Sequence, residues 1–97
     1  MDINMIMKQA QKMQADLKKT QSKLESTIYE GKSNGIVVKV NGKSECQEIT
    51  IPEELMDDRE MLQDMLLIAF NNAIAASDED RENQLGGITS GLNIPGM

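Results

Sequence analysis

Reading every third and fourth residue from Ile3 gives Ile3, Ile6, Ala10, Met13, Leu17, Thr20 and Leu24, with neither Gly nor Pro between them. A 3,4 alternation averages 3.5 residues and predicts one long helix with a narrow apolar seam, of the kind that pairs with another helix. Asp2 or Asn4 is placed to cap its start, and it should end near Ser26, where Ser26-Thr27-Ile28-Tyr29 brings in β-branched and aromatic residues. There the period falls from 3.5 to 2. A meander of three strands is predicted from Thr27 to Ile51: Thr27 to Lys32, Ile36 to Val40 and Lys43 to Ile51, joined at Ser33-Asn34-Gly35 and Asn41-Gly42. Asn-Gly is the strongest short hairpin signal. In the middle strand Ile36, Val38 and Val40 share one face and Val37 and Lys39 the other. The third alternates weakly, with Glu45, Gln47, Ile49 and Ile51 opposite Cys46, Glu48 and Thr50, as suits an edge or a bulged strand.

Pro52 ends the sheet, and Pro52 to Met56 reads as a short helical turn leading to Asp57, with Glu60 three residues on as an Asp variant of a capping box. A second long helix follows from about Asp58 to Gln84. Met61, Leu62, Met65, Leu66, Ala69, Phe70 and Ala73 are its expected core and subunit-packing positions. With Leu67, Ile68 and Ile74 they surround its first two thirds with apolar side chains, so it should be covered by the sheet on one side and a partner subunit on another. The expected class is α+β in the order α-β-β-β-α, with a single domain over residues 1–85. Residues 86–97, which hold four of the seven glycines and a proline, should form a flexible Gly-rich tail.

Charge changes this picture more than composition does. The net charge is −6, yet residues 1–43 carry eight Lys against four acids and residues 44–97 carry two Arg against twelve. Two aromatic residues, Tyr29 and Phe70, leave little surface on which single-stranded bases stack. Cys46 is the lone cysteine and the chain contains no histidine, so an intramolecular disulfide and a Cys-based metal cluster within one protomer are both excluded. Cys46 reads as an inert strand residue. Asp78, Glu79, Asp80 and Glu82 lack the Gly-punctuated spacing of a calcium loop. The chain has no Gly-rich phosphate loop, zinc spacing or nucleophile elbow, so neither an enzyme, a cofactor, a metal nor a small-molecule substrate is expected. No run approaches a membrane span, and a cytoplasmic protein without membrane association is expected.

The candidate chemistry lies on the first helix. At about 100° per residue Lys8, Lys12, Lys19 and Lys23 fall within about 60° of one another, roughly 130° round from the apolar seam, and Lys18 lies near them in sequence. Such a stripe is commonly just the solvated back of a coiled coil. Its fifteen-residue span is nonetheless about 22 Å at ~1.5 Å per residue, comparable to six or seven base pairs at ~3.4 Å each. None of the five is an Arg, so the bidentate reader of guanine is missing and any contact with nucleic acid should be driven by charge and shape.

Several words, in order and at matching separations, carry a resemblance. They are Met7-Lys8-Gln9-Ala10-Gln11-Lys12-Met13-Gln14, Gly35-Ile36-Val37-Val38-Lys39-Val40-Asn41-Gly42-Lys43, Glu60-Met61-Leu62-Gln63-Asp64 followed by Ala69-Phe70-Asn71-Asn72-Ala73, and the ending Ser90-Gly91-Leu92-Asn93-Ile94-Pro95-Gly96-Met97. Over nearly the whole chain the sequence resembles the YbaB/EbfC family of bacterial nucleoid-associated proteins. The resemblance implies a tweezer-like homodimer with projecting helical arms that binds double-stranded DNA and organises the nucleoid. It places the DNA contacts on basic residues of the extended helices, which here carry over onto Lys8, Lys12, Lys18, Lys19 and Lys23. Where members often have Asp-Pro after the third strand this chain has Pro52-Glu53, and where they often have a basic pair after the Phe-Asn word it has Ala75-Ala76, leaving Arg81 alone among acids. Two functions therefore stand side by side: a nucleoid-associated DNA-binding dimer, and an acidic dimeric protein-interaction module of chaperone-like type that does not bind DNA.

Overall fold

The computed structural model describes residues 2–90, with side-chain surroundings for 2–86. The elements are α1 (Ile3–Ser26), β1 (Ile28–Ser33), β2 (Ile36–Asn41), β3 (Cys46–Thr50), a short 3₁₀ turn (Glu53–Asp57) and α2 (Arg59–Ser90). The α-β-β-β-α order is the one the periodicities predict. Asp2 caps α1, its carboxylate accepting the Asn4 N–H at 3.0 Å. At the other end Thr27 Oγ1 donates to the Lys23 carbonyl at 2.6 Å and the Thr27 N–H to the Leu24 carbonyl at 3.2 Å, closing the last turn as the chain enters β1.

The sheet is antiparallel in the order β1-β2-β3. Its first turn holds Asn34 at φ 47° and Gly35 at φ 86°, the left-handed pair that a two-residue hairpin with the right twist requires. The second turn differs from the Asn41-Gly42 reading. Asn41 Oδ1 accepts the N–H groups of Lys43 (2.9 Å) and Glu45 (3.0 Å), and Asn41 and Glu45 also pair through their backbones. Ser44 takes the left-handed conformation at φ 63°, so the loop is longer and Asn41 acts as its anchor. A bulge follows: Lys39 pairs with Glu48 but Val40 with Cys46, leaving Gln47 unmatched. Cys46 is thereby brought to the face of Val40, the same face as Ile49, contrary to the simple alternation.

Ile36, Val38 and Val40 of the middle strand are fully buried beneath α2, together with Tyr29, Leu55, Ala69 and Ala73. Small residues set this packing distance. A Cβ on Gly31 would stand 1.9 Å from the Ala69 carbonyl oxygen and 2.4 Å from the Ala73 nitrogen, so β1 and α2 are in backbone contact there. Leu62, Met65, Leu66 and Phe70 pack half-buried against this core, whereas Met61 is 43% exposed and lies outside it within the protomer. Asp58, not Asp57, caps α2, accepting the Met61 N–H at 3.1 Å. α2 packs on β1 and β2 and makes no comparable contact with β3, every residue of which is exposed.

Two extensions depart from a compact shape. The radius of gyration is 19.2 Å and the extents are 69 × 27 × 13 Å, against about 13 Å expected for a compact chain of 100 residues. α2 runs through Gly86 and Gly87 to Ser90, five residues into the segment read as a tail; residues 91–97 of that segment lie outside the described residues. α1 projects in turn. Its seam is covered unevenly, with Leu24 buried, Thr20, Leu17 and Met13 half-buried, and Ala10, Ile6 and Ile3 exposed.

Candidate nucleic-acid interface

α1 is docked at its C-terminal end and free at its start. The dock is a backbone contact: a Cβ on Gly42 would stand 1.9 Å from the Leu24 carbonyl oxygen, so the second hairpin turn touches the last turns of α1 without an intervening side chain. Arg81 holds the turn from the other side, its Nη2 donating to the Gly42 carbonyl and its Nη1 pairing with Asp78 at 3.1 Å. A cleft of 280 Å³ remains where these parts meet, lined by Gln21, Leu24, Glu25, Gly42, Lys43, Arg81 and Leu85. Beside it Tyr29 is buried and its hydroxyl donates to Asp80 at 2.6 Å. Burial first, and then the Asp80 carboxylate, push the Tyr29 phenol above its usual range.

Eight of the ten cations divide into two groups; the other two, Lys43 and Arg59, are exposed and form no ion pair among the described residues. Lys39 sits on the outer sheet face between Glu30 (3.6 Å) and Glu48 (3.2 Å), and Lys32 also reaches Glu30 at 3.7 Å. The hydrogen bond to Glu48 and the negative charge of that carboxylate raise the Lys39 pKa, with Glu30 adding to the effect. With Arg81 engaged as well, these three are neutralised within the fold. Lys8, Lys12, Lys18, Lys19 and Lys23 behave otherwise: all are exposed and none forms an ion pair among the described residues. Lys8, Lys12, Lys19 and Lys23 share one face of α1, and Lys18 stands about 110° from its centre at ~100° per residue. The sequence located the stripe because it is local to one helix; the pairing of Lys39 with Glu30 and Glu48, and the reach of Arg81 to Gly42, depend on neighbours from other elements and left no local signal, whereas Arg81 and Asp78 form an i,i+3 pair within α2.

This is the arrangement of a small α+β scaffold that presents unpaired cations on one projecting helix, and among the described residues no three His, Cys, Asp or Glu side chains converge as a metal site. No described helix is long and apolar enough to cross a membrane. The chain belongs to the YbaB/EbfC DNA-binding family, whose model matches residues 1–92. That family comprises DNA-binding proteins, not enzymes. A nucleoid-associated protein of Clostridium novyi is 45% identical over all of this chain and 89% of its own length, and one of Alkaliphilus metalliredigens is 44% identical over 99% and 88%. Among solved structures, that of an uncharacterized protein from Helicobacter pylori superimposes with a TM-score of 0.76 at 27% identity, over 92% of this chain and 98% of the other.

Proposed function

We propose that this protein is a cytoplasmic, nucleoid-associated protein that binds double-stranded DNA as a homodimer, chiefly through phosphate contacts and with little base specificity. The observation that carries the reading is the set of five α1 lysines that the fold leaves unpaired, while Lys32, Lys39 and Arg81 are engaged internally. Lys8, Lys12, Lys19 and Lys23 form the footprint and Lys18 flanks it. A dimer is supported by what one protomer leaves uncovered: all of β3, and Leu67 (62% exposed), Ile68 and Met61 on the sides of α2 turned from the sheet. Met61, Leu62, Met65, Leu66, Ala69, Phe70 and Ala73 then divide between the core and that contact. Pairing two protomers also doubles the number of arms and hence of phosphate contacts.

Two measurements test this. Duplex DNA titrated into the protein at low salt should give a saturable complex that is lost when Lys8, Lys12, Lys19 and Lys23 are all replaced by Gln. Undetectable binding of the native chain, or unchanged binding by the quadruple variant, refutes it. Light scattering should return twice the mass of the chain; a stable monomer refutes the dimer.

A further inference from the structure

Arg81, alone among acids on the polar stretch of α2, has its charge turned inward. It is half-buried beside the second hairpin turn, with Nη2 donating to the Gly42 carbonyl and Nη1 held at 3.1 Å by Asp78, one turn earlier on the same helix. A planar guanidinium meets two acceptors in fixed directions, which the point charge of an ammonium does not. Asp78 therefore aims the group at the turn.

What that turn touches is α1. The Cβ that Gly42 lacks would lie 1.9 Å from the Leu24 carbonyl oxygen and 2.9 Å from the Glu25 nitrogen, so turn and helix meet backbone to backbone. The turn is braced from within, since Asn41 Oδ1 accepts the N–H groups of Lys43 and Glu45. Leu24 is the buried residue of α1, and among the described elements α1 packs only on α2 and β2. Any displacement of the turn is thus carried into the direction of the helix. Lys8 and Leu24 are sixteen residues apart, about 24 Å at ~1.5 Å per residue, so a tilt of about 10° at the dock moves Lys8 by roughly 4 Å. That is comparable to the whole N···O separation of an ion pair.

We propose that Arg81 is a positioning residue for the lysine arm: it makes no phosphate contact itself but, through Gly42, fixes the direction in which Lys8, Lys12, Lys19 and Lys23 are presented. Asp78 acts with it by holding the guanidinium on the turn. The consequence for DNA affinity rests on the function proposed above; the consequence for α1 rests on the fold alone.

Titration of duplex DNA at several salt concentrations separates positioning from contact. Arg81→Lys keeps the positive charge and loses the paired geometry, whereas Asp78→Ala removes an acid together with the group that aims Arg81. Both should lower affinity about tenfold, because a loosened arm must be ordered on binding, and both should leave the salt slope of the native protein unchanged. A phosphate-contacting Arg81 demands the reverse, with near-native affinity for Arg81→Lys and tighter binding for Asp78→Ala; either result overturns the proposal. A second measurement needs no DNA. In a Cys46→Ser background, a dye on Gln11→Cys reports the motion of the arm by time-resolved anisotropy. Arg81→Lys or Asp78→Ala should enlarge the amplitude of that local motion about twofold while cooperative melting is retained, and an unchanged amplitude overturns the proposal. If the native chain binds no duplex, the DNA-binding reading fails and the dye measurement still decides the role of Arg81.

Discussion

Replacing single lysines by glutamine while following the salt dependence of DNA binding separates the two groups of cations. If the four stripe lysines of each protomer contact phosphate, a dimer makes eight contacts, and log K falls against log salt with a slope near −7, at ~0.9 per contact. Between 50 and 200 mM salt that is a loss of about 10⁴-fold in affinity. Each substitution at Lys8, Lys12, Lys19 or Lys23 removes two contacts per dimer and should make the slope shallower by about 1.8. The decisive comparison is Lys32→Gln with Lys39→Gln, whose ammonium groups lie 3.2–3.7 Å from Glu30 and Glu48. Their charge is already offset by those carboxylates, so they should displace no counterions from DNA phosphates and the slope should stay near −7, at ~0.9 per contact. Lys18→Gln should have a smaller effect than any residue of the stripe, since it projects to one side. Fluorescence anisotropy on a short duplex at five salt concentrations gives each slope. The reasoning is refuted if the sheet pair lowers the slope as much as two stripe positions do, because internal ion pairing would then not determine which lysines reach DNA.

Three further outcomes test the scaffold, each by unfolding at fixed protomer concentration. Gly31→Ala should destabilise by about 1–3 kcal/mol, since the new Cβ meets the α2 backbone at 1.9 Å and the helix must move off the sheet; unchanged thermal stability would show that α2 is not seated there. Ser77→Ala should raise stability by about 1 kcal/mol, because the Ser77 hydroxyl is buried with no hydrogen-bond partner; a clear loss in denaturant melts counts against this. Tyr29 sets a pH limit. Its folded pKa lies above the ordinary 10.0, so the fold retains the phenolic proton longer than the unfolded chain does. Stability is therefore complete below pH 10 and falls as pH rises from there through the raised value, and Tyr29→Phe should remove that fall. A Phe variant with the same alkaline decline would assign it to other groups.

The parts legible in the sequence are those whose cause is local. The seam of α1, the Asn34-Gly35 hairpin and the alternation of Ile36, Val38 and Val40 each follow from the geometry of one element, and each is found where the periodicity places it. Where two local signals compete, the sequence is ambiguous. Asn41-Gly42 has the same letters as the first turn, but the Asn41 side chain takes up two loop N–H groups and the left-handed residue becomes Ser44. That choice also creates the bulge that moves Cys46 to the other face. The cap of α2 shifted by one residue for a similar reason, since both Asp57 and Asp58 are competent and the preceding 3₁₀ turn takes Asp57. Gly86 and Gly87 carry an intrinsic cost of about 1 kcal/mol each inside a helix, yet α2 continues through both.

The candidate site was legible as a stripe and not as a contrast. Counting charges gives −6 and argues against a polyanionic partner, but a count treats every lysine alike. The fold does not. Glu30 and Glu48 neutralise Lys39, Glu30 also meets Lys32, and Asp78 meets Arg81, so carboxylates are consumed together with these cations on the sheet and at the hairpin dock. On α1 between Lys8 and Lys23 the one acid is Asp16, against five lysines, all exposed. At physiological ionic strength the Debye length is about 8 Å, much shorter than the roughly 22 Å over which the stripe extends at ~1.5 Å per residue. On the proposed reading, a duplex lying on the arm would therefore meet each lysine as a separate short-range charge. On the proposed reading the Ala75-Ala76 departure fits the same division: without a basic pair on α2, phosphate contact would fall to α1, and the direction in which α1 leaves its dock at Gly42 and Arg81 would set where those contacts lie.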